Sequence, residues 1–145
     1  MGDLGLRYQA SKTFVSVFSK KHPWIYGNAL SGAISALPPA SLVRVVDGEN
    51  KFLTHAIYEP HASVAMRLLF TTDPFDVGQL RRRLASVISS KSKKNALSPT
   101  SCYRLLNGEG DRFPGLTCDV YGKTAIWQPY LKFWDALLPE LVEEA

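Results

Sequence analysis

The sequence predicts an α+β protein in two parts: a small β-barrel over residues 1–73, then an α/β unit of strand, strand and helix over residues 74–145. Three observations carry this. Short β-branched and apolar runs separated by turn residues fill the first half, and a long helical period of apolar residues begins only after Asp73-Pro74-Phe75-Asp76. Residues 102–122 then read as strand, tight connection, strand. A chain of 145 residues with 46% hydrophobic content can bury a core, and its length allows one domain or two very small ones.

Residues 1–12 show no clear period and read as a loosely held lead-in or an edge strand. Phe14, Val15, Val17 and Phe18 are apolar and closely spaced, which fits a buried strand or one helical turn before Lys20-Lys21. Pro23 disfavours helix at His22, and residues 28–39, rich in small side chains and ending in Pro38-Pro39, read as extended and loop-like. Leu42-Val43-Arg44-Val45-Val46 is β-branched, Asp47-Gly48-Glu49-Asn50 is turn chemistry, and residues 51–58 resume with Phe52, Leu53, Ile57 and Tyr58, which together predict a hairpin. Glu59-Pro60-His61 ends the second strand, and Val64, Met66, Leu68 and Phe70 form a third. Strands this short expose vulnerable edges, and closure into a barrel removes them.

The second part opens on a predicted helix. Asp73 is an N-cap candidate, Pro74 suits the first helical position, and Asp76 adds a second carboxylate. Val77, Leu80, Leu84, Val87 and Ile88 recur at three and four residues, which puts Arg81, Arg82 and Arg83 on the solvent side. Residues 89–95 lose that period and read as a frayed basic end or linker. A hairpin at 102–122 cannot stand alone, and residues 123–128 and 132–145 offer it a strand and a helix. Pro139 interrupts the helix, which predicts a kink or break.

The segment Arg104-Leu-Leu-Asn-Gly-Glu-Gly-Asp-Arg-Phe-Pro-Gly-Leu-Thr-Cys-Asp-Val-Tyr-Gly122 resembles the central-domain signature of the ribosomal RNA large-subunit methyltransferase I family, S-adenosylmethionine-dependent enzymes that methylate cytosine. Arg112-Phe113 stands where the family usually has Gly-Leu. The same family begins with a small RNA-binding PUA domain, and Lys20-Lys21-His22-Pro23-Trp24-Ile25-Tyr26 resembles its opening His-Pro-Trp segment. The resemblance runs from about Ser19 onward. It implies a PUA-like RNA-binding barrel over 1–73 and part of the family's central domain over 74–145, with the catalytic domain beyond Ala145. The chain then reads as a truncated gene product or a fragment. The resemblance also implies a parent activity that transfers a methyl group from S-adenosylmethionine to a cytosine of ribosomal RNA, with no cofactor site in this chain.

Charge is distributed unevenly. The net charge of +4 permits a polyanionic partner without demanding one. Over residues 76–98 the cations Arg81, Arg82, Arg83, Lys91, Lys93 and Lys94 face the single acid Asp76, whereas acids outnumber bases from Pro99 onward. Cys102, Cys118, His22, His55 and His61 have no close metal-ligand spacing, so neither a zinc site nor a disulfide framework is expected. No leader sequence or membrane-length apolar run is present, which makes the cytoplasm the expected location.

Candidate RNA contacts are Lys20, Lys21, His22, Trp24 and Tyr26 at the start of the barrel, with Arg81, Arg82, Arg83, Lys91, Lys93 and Lys94 of the following helix. Phosphates need cations without exact geometry, and aromatic rings give unpaired bases a stacking surface. Read from residue types alone, Trp24 and Tyr26 fit the barrel core and Lys91, Lys93 and Lys94 a solvated linker; the resemblance turns the reading toward structured RNA, ribosomal by implication. Gly108-Glu109-Gly110 lacks the third glycine and following helix of a nucleotide loop and reads as a turn. Cys102 and Cys118 read as small buried residues in strands, not as the nucleophile of cytosine methylation. His55 and His61 read as structural or surface residues. The incomplete second unit is expected to expose Trp127, Phe133, Trp134, Leu137 and Leu138 and so to self-associate. A stand-alone RNA-binding or adaptor protein with no enzymatic role is the alternative to the methyltransferase reading.

Overall fold

In the computed structural model the described residues are 5–32, 34–60, 62–96 and 100–143; Met1 to Leu4, Ala33, His61, Leu97 to Pro99, Glu144 and Ala145 lie outside them. The reading of His61 therefore goes without a structural counterpart. By its internal packing the chain divides into Met1–Phe75 and Asp76–Ala145. Strands and helices occur in both, the α+β mixture that the sequence predicts.

In the first unit Arg7–Gln9 (β1) is an edge strand running parallel to Ser41–Val46. Lys12–Ser19 (α1) is a helix. Its N-cap explains the choice: the Ser11 hydroxyl accepts from the Phe14 N–H at 3.0 Å and donates to the Ala29 carbonyl at 2.6 Å. Phe14 and Phe18, one turn apart, then share a face; Phe14 is fully buried and Phe18 stacks on Phe70 at 6.2 Å. Trp24–Tyr26 (β2) follows, with short 3₁₀ turns at Gly27–Ala29 and Ile34–Ala36 in the stretch expected to be loop.

Ser41–Val46 (β3) and Phe52–Tyr58 (β4) form the expected hairpin. The Asp47 carboxylate closes it by accepting from the N–H groups of Glu49 and Lys51, both at 2.9 Å. Val64–Leu68 (β5) completes a five-stranded sheet of order β1-β3-β4-β5-β2. Strands β1 and β2 are its edges, and no ladder joins them among the described residues. Tyr8, Phe14, Ile25, Val43, Val45, Ala56, Tyr58, Met66 and Leu68 meet in one core, each large apolar side chain contributing about 1.5–3 kcal/mol by burial.

Asp73 does not cap the next helix. Arg44 holds its carboxylate through Nε and Nη2 at 2.7–3.1 Å, and Val77–Asn95 (α2) is capped instead by Asp76, which accepts from the Gly78 N–H at 3.0 Å. The helix also runs on through residues 89–95, expected to fray. Lys93 and Lys94 in its last turn complement the negative end of the helix dipole.

Cys102–Asn107 (β6), Leu116–Tyr121 (β7) and Thr124–Pro129 (β8) make a three-stranded antiparallel sheet of order β6-β7-β8. Phe133–Val142 (α3) packs in the same unit, and the helix continues through Pro139 without a break. The carbonyl that loses its partner belongs to Asp135, an exposed residue, so water can satisfy it. Phe133, Trp134 and Leu137 are buried and Leu138 and Trp127 half-buried, contrary to the exposure expected of them. The signature segment itself covers Trp134. Phe113 sits 5.9 Å from the Trp134 ring, and the Trp134 indole N–H donates to the Pro114 carbonyl at 2.8 Å. Gly115 is required twice over, since its φ is +68° and a Cβ there would stand 2.5 Å from Leu131.

Candidate nucleic-acid interface

Helix α1 and strand β2 enclose a groove of about 300 Å³, continued by the 3₁₀ turn at Gly27–Ala29. Thr13, Val17 and Lys20, spaced four and three residues apart, supply one wall from α1; Trp24 and Tyr26 supply the other by strand alternation, with His22 before β2 and Asn28 in the turn after it. Alternation also answers whether the aromatics are core. Ile25 is the buried residue of β2, whereas Trp24 is half-buried and Tyr26 is 46% exposed.

Each groove residue is positioned by its neighbours. The Arg67 guanidinium lies 5.7 Å over the Trp24 ring from β5, where it is Trp24's cross-strand partner, and Arg67 itself does not line the groove. The His22 ring meets the Trp24 ring edge-on at 6.2 Å. His22 Nδ1 lies 3.2 Å from the Trp24 backbone nitrogen and 3.1 Å from the Trp24 carbonyl oxygen, so the Trp24 backbone holds the ring whichever ring nitrogen carries the proton. Lys20 lies at the C-cap of α1, where the chain reverses through Lys21 at φ +56°. Both lysines are exposed. The groove thus has a largely apolar floor, an indole already stacked on one cation, and a second cation at its rim.

The basic helix divides by what its cations touch. Arg81 donates to Glu140 at 2.8 Å, Arg83 donates to the Arg112 carbonyl at 2.7 Å and lies 5.8 Å over the Phe113 ring, and Lys91 donates to Asp111 at 2.8 Å. Burial, and then the nearby Arg112, lowers the pKa of Arg83. These three act within the unit, contrary to the expectation that Arg81 and Arg83 spread over the solvent side. Arg82, Lys93 and Lys94 are exposed, with Arg82 3.9 Å from the Asp76 carboxylate. Arg82 and Lys93, three turns apart, fall on one stripe of α2.

The remaining candidates are structural. Gly108–Asp111 is a 3₁₀ turn leading into β7, tied by Asp111, which accepts from the Asn107 N–H at 2.7 Å as well as from Lys91. Cys118 is fully buried and its thiol is pushed up to about 11, by burial first and then by Asp119. A thiol so placed is a poor nucleophile. Cys102 is exposed, contrary to the expectation of a buried residue, because it is the first residue of β6. His55 is buried between Phe52 and Phe75, with Nδ1 2.9 Å from the Thr71 hydroxyl. Among the described residues no group of three or more His, Cys, Asp or Glu could hold a metal ion, and no helix is long and apolar enough to cross a membrane.

Sequence reasoning missed Thr13 and Asn28. Neither carries charge or a ring, and only the turn at Gly27–Ala29 and the register of α1 bring them into the groove.

Comparison with known proteins bears on what this groove serves. Residues 11–71 match the family described as a PUA-like domain. A ribosomal RNA large subunit methyltransferase of Deinococcus radiodurans is 29% identical over 95% of the chain and 35% of its own length. Ribosomal RNA large subunit methyltransferase I of Cronobacter sakazakii is 30% identical over 75% of the chain and 28% of its own length. The chain thus spans about a third of the curated relatives it matches. Among solved structures, a Streptococcus mutans protein classed provisionally as a SAM-dependent methyltransferase superposes with a TM-score of 0.79 at 20% identity, covering 96% of this chain and 36% of that one. A protein classed provisionally as a methyltransferase, complexed with SAH, gives 0.81 at 17% identity over the same shares. These likenesses show the fold.

Proposed function

From the premise that the chain carries a PUA-like domain and is related to about a third of the length of the ribosomal RNA large subunit methyltransferases, we propose that it is the RNA-binding region of such an enzyme and is not catalytic by itself. The observation that carries this is the α1–β2 groove. It gathers Lys20, His22, Trp24 and Tyr26, with Lys21 beside it, into one partly apolar and partly cationic surface. Such a surface suits RNA: exposed ammonium groups neutralise phosphates, and exposed ring faces receive unpaired bases. Arg82, Lys93 and Lys94 offer further phosphate contacts from α2.

The partner is structured ribosomal RNA, and the working compartment is the cytoplasm, where that RNA resides. Transfer of a methyl group from S-adenosylmethionine to a cytosine belongs to the whole enzyme. In this chain Cys118 is buried with its thiol pushed up to about 11, a poor nucleophile, and no role in adding to a base is assigned to the exposed Cys102.

The test is a salt titration of binding to a structured ribosomal RNA fragment. Log affinity falls linearly with log salt at roughly 0.7–0.9 per phosphate neutralised, and Lys20→Glu with Lys21→Glu flattens the slope. A folded double variant with unchanged affinity and slope rules the groove out as the interface.

A further inference from the structure

We propose that the α1–β2 groove receives a single unpaired nucleobase, stacked on Trp24, and that Asn28 and Thr13 hydrogen-bond to its edge. This rests on the RNA-binding reading and adds to it a ligand and two specificity-determining residues.

Size and chemistry both point to one base. At about 300 Å³ the groove lies at the small end of ligand pockets, the scale of one ring system and not of a helical segment. Its floor is Val17, Ala29 and the Trp24 ring, which suits a flat, weakly polar face. Arg67 covers Trp24 from outside the groove, so a base entering from the groove side completes an Arg–Trp–base stack. The polar groups converge from opposite walls. Thr13 sits one turn before Val17 on α1, and Asn28 lies in the turn that follows β2. Both side chains are exposed, and neither has a hydrogen bond or ion pair among the described residues. An Asn amide presents a donor and an acceptor side by side, the pattern that pairs with adjacent groups on a base edge. Lys20 at the rim stands where the phosphate of an extruded nucleotide would follow. A paired base has its edge occupied and its faces stacked, so the groove selects bulges and loops over duplex.

The experiment compares two RNA hairpins of equal length and charge, one fully paired and one with a single-nucleotide bulge carrying 2-aminopurine. The full chain is expected to bind the bulged hairpin at least about fivefold more tightly, the factor that one base stack supplies, with quenching of the 2-aminopurine. Asn28→Ala and Thr13→Val each reduce that preference by at least about twofold while leaving affinity for the paired hairpin and its salt slope unchanged. Trp24→Leu abolishes the quenching, and circular dichroism melts verify that each variant folds; Asn28, exposed in a turn, supplies the decisive variant should Trp24→Leu unfold. Equal affinity for the two hairpins overturns the single-base inference and leaves the RNA-binding reading standing. Full preference retained in folded Asn28→Ala and Thr13→Val overturns the edge contacts. Salt-dependent binding to neither hairpin, nor to the ribosomal fragment, overturns the reading on which the inference rests.

Discussion

At Arg112 an L-residue occupies φ +62°, ψ 36° at the end of the Gly108–Asp111 turn, a left-handed conformation that costs non-glycine residues about 1–2 kcal/mol. The position is one where the resembled family has glycine, and the geometry explains why. Its guanidinium contributes repulsion too, since Arg112 helps lower the pKa of Arg83. Its carbonyl, which accepts from Arg83, is a backbone group that substitution leaves in place. Arg112→Gly is therefore expected to raise the unfolding free energy by about 0.5–1 kcal/mol, after the entropy that glycine adds to the unfolded chain is set against the relieved strain. A urea transition with a higher midpoint and unchanged slope is the expected result. A lowered midpoint would mean that the Arg112 side chain stabilises the turn by more than its backbone strains it. Residue types could not give this sign, because only the observed dihedral tells a strained arginine from a comfortable one.

At the scale of elements, the sequence was most legible where local chemistry and tertiary need agree. The β3–β4 hairpin follows from β-branched runs around Asp47-Gly48-Glu49-Asn50, and the Asp47 carboxylate closes it as turn chemistry requires. It was less legible where a distant partner decides. Asp73 looked like a helix cap until Arg44, 29 residues away, took its carboxylate, and α1 needed the contact of Ser11 with Ala29 to settle its state. Helix α2 shows the same effect on function: six cations looked equivalent, and Glu140, Asp111 and the Arg112 carbonyl divide them. Two opposite outcomes follow. Arg82→Glu with Lys93→Glu and Lys94→Glu is expected to weaken RNA binding and lower the salt slope by roughly 0.7–0.9 for each phosphate no longer neutralised, with a modest loss of stability because Lys93 and Lys94 complement the helix dipole. Arg81→Glu sets two carboxylates against each other at Glu140 and is expected to cost about 1 kcal/mol of stability with little effect on RNA affinity. Binding isotherms and denaturant melts on both variants test the division. A stable Arg81→Glu that no longer binds RNA would reverse the assignment of that arginine.

At the scale of the whole molecule, the question is what a chain that matches about a third of the length of methyltransferases can bind. Nucleotide-type cofactors bind at the carboxyl ends of parallel strands, where a glycine-rich turn leads into a helix whose N-terminus meets the ligand. Among the described residues the parallel pairing is β1 with β3, and the turn from β1 into α1 is Ala10-Ser11, without glycine. The Ser11 hydroxyl there is already engaged with the Ala29 carbonyl and the Phe14 N–H. The glycine-rich stretch, Gly108-Glu109-Gly110, leads into β7 instead of a helix, and Asp111 turns its carboxylate onto the Asn107 N–H. SAH is bound in a structural neighbour of which this chain covers 36%, and its cofactor site is a property of that protein. Calorimetric titration of the chain with S-adenosylmethionine is expected to give no saturable heat, while the same preparation binds RNA with the salt dependence of a phosphate-neutralising surface. Saturable micromolar binding of the cofactor, abolished by a substitution within the described residues, would locate a cofactor site in this chain and overturn its assignment to RNA recognition alone.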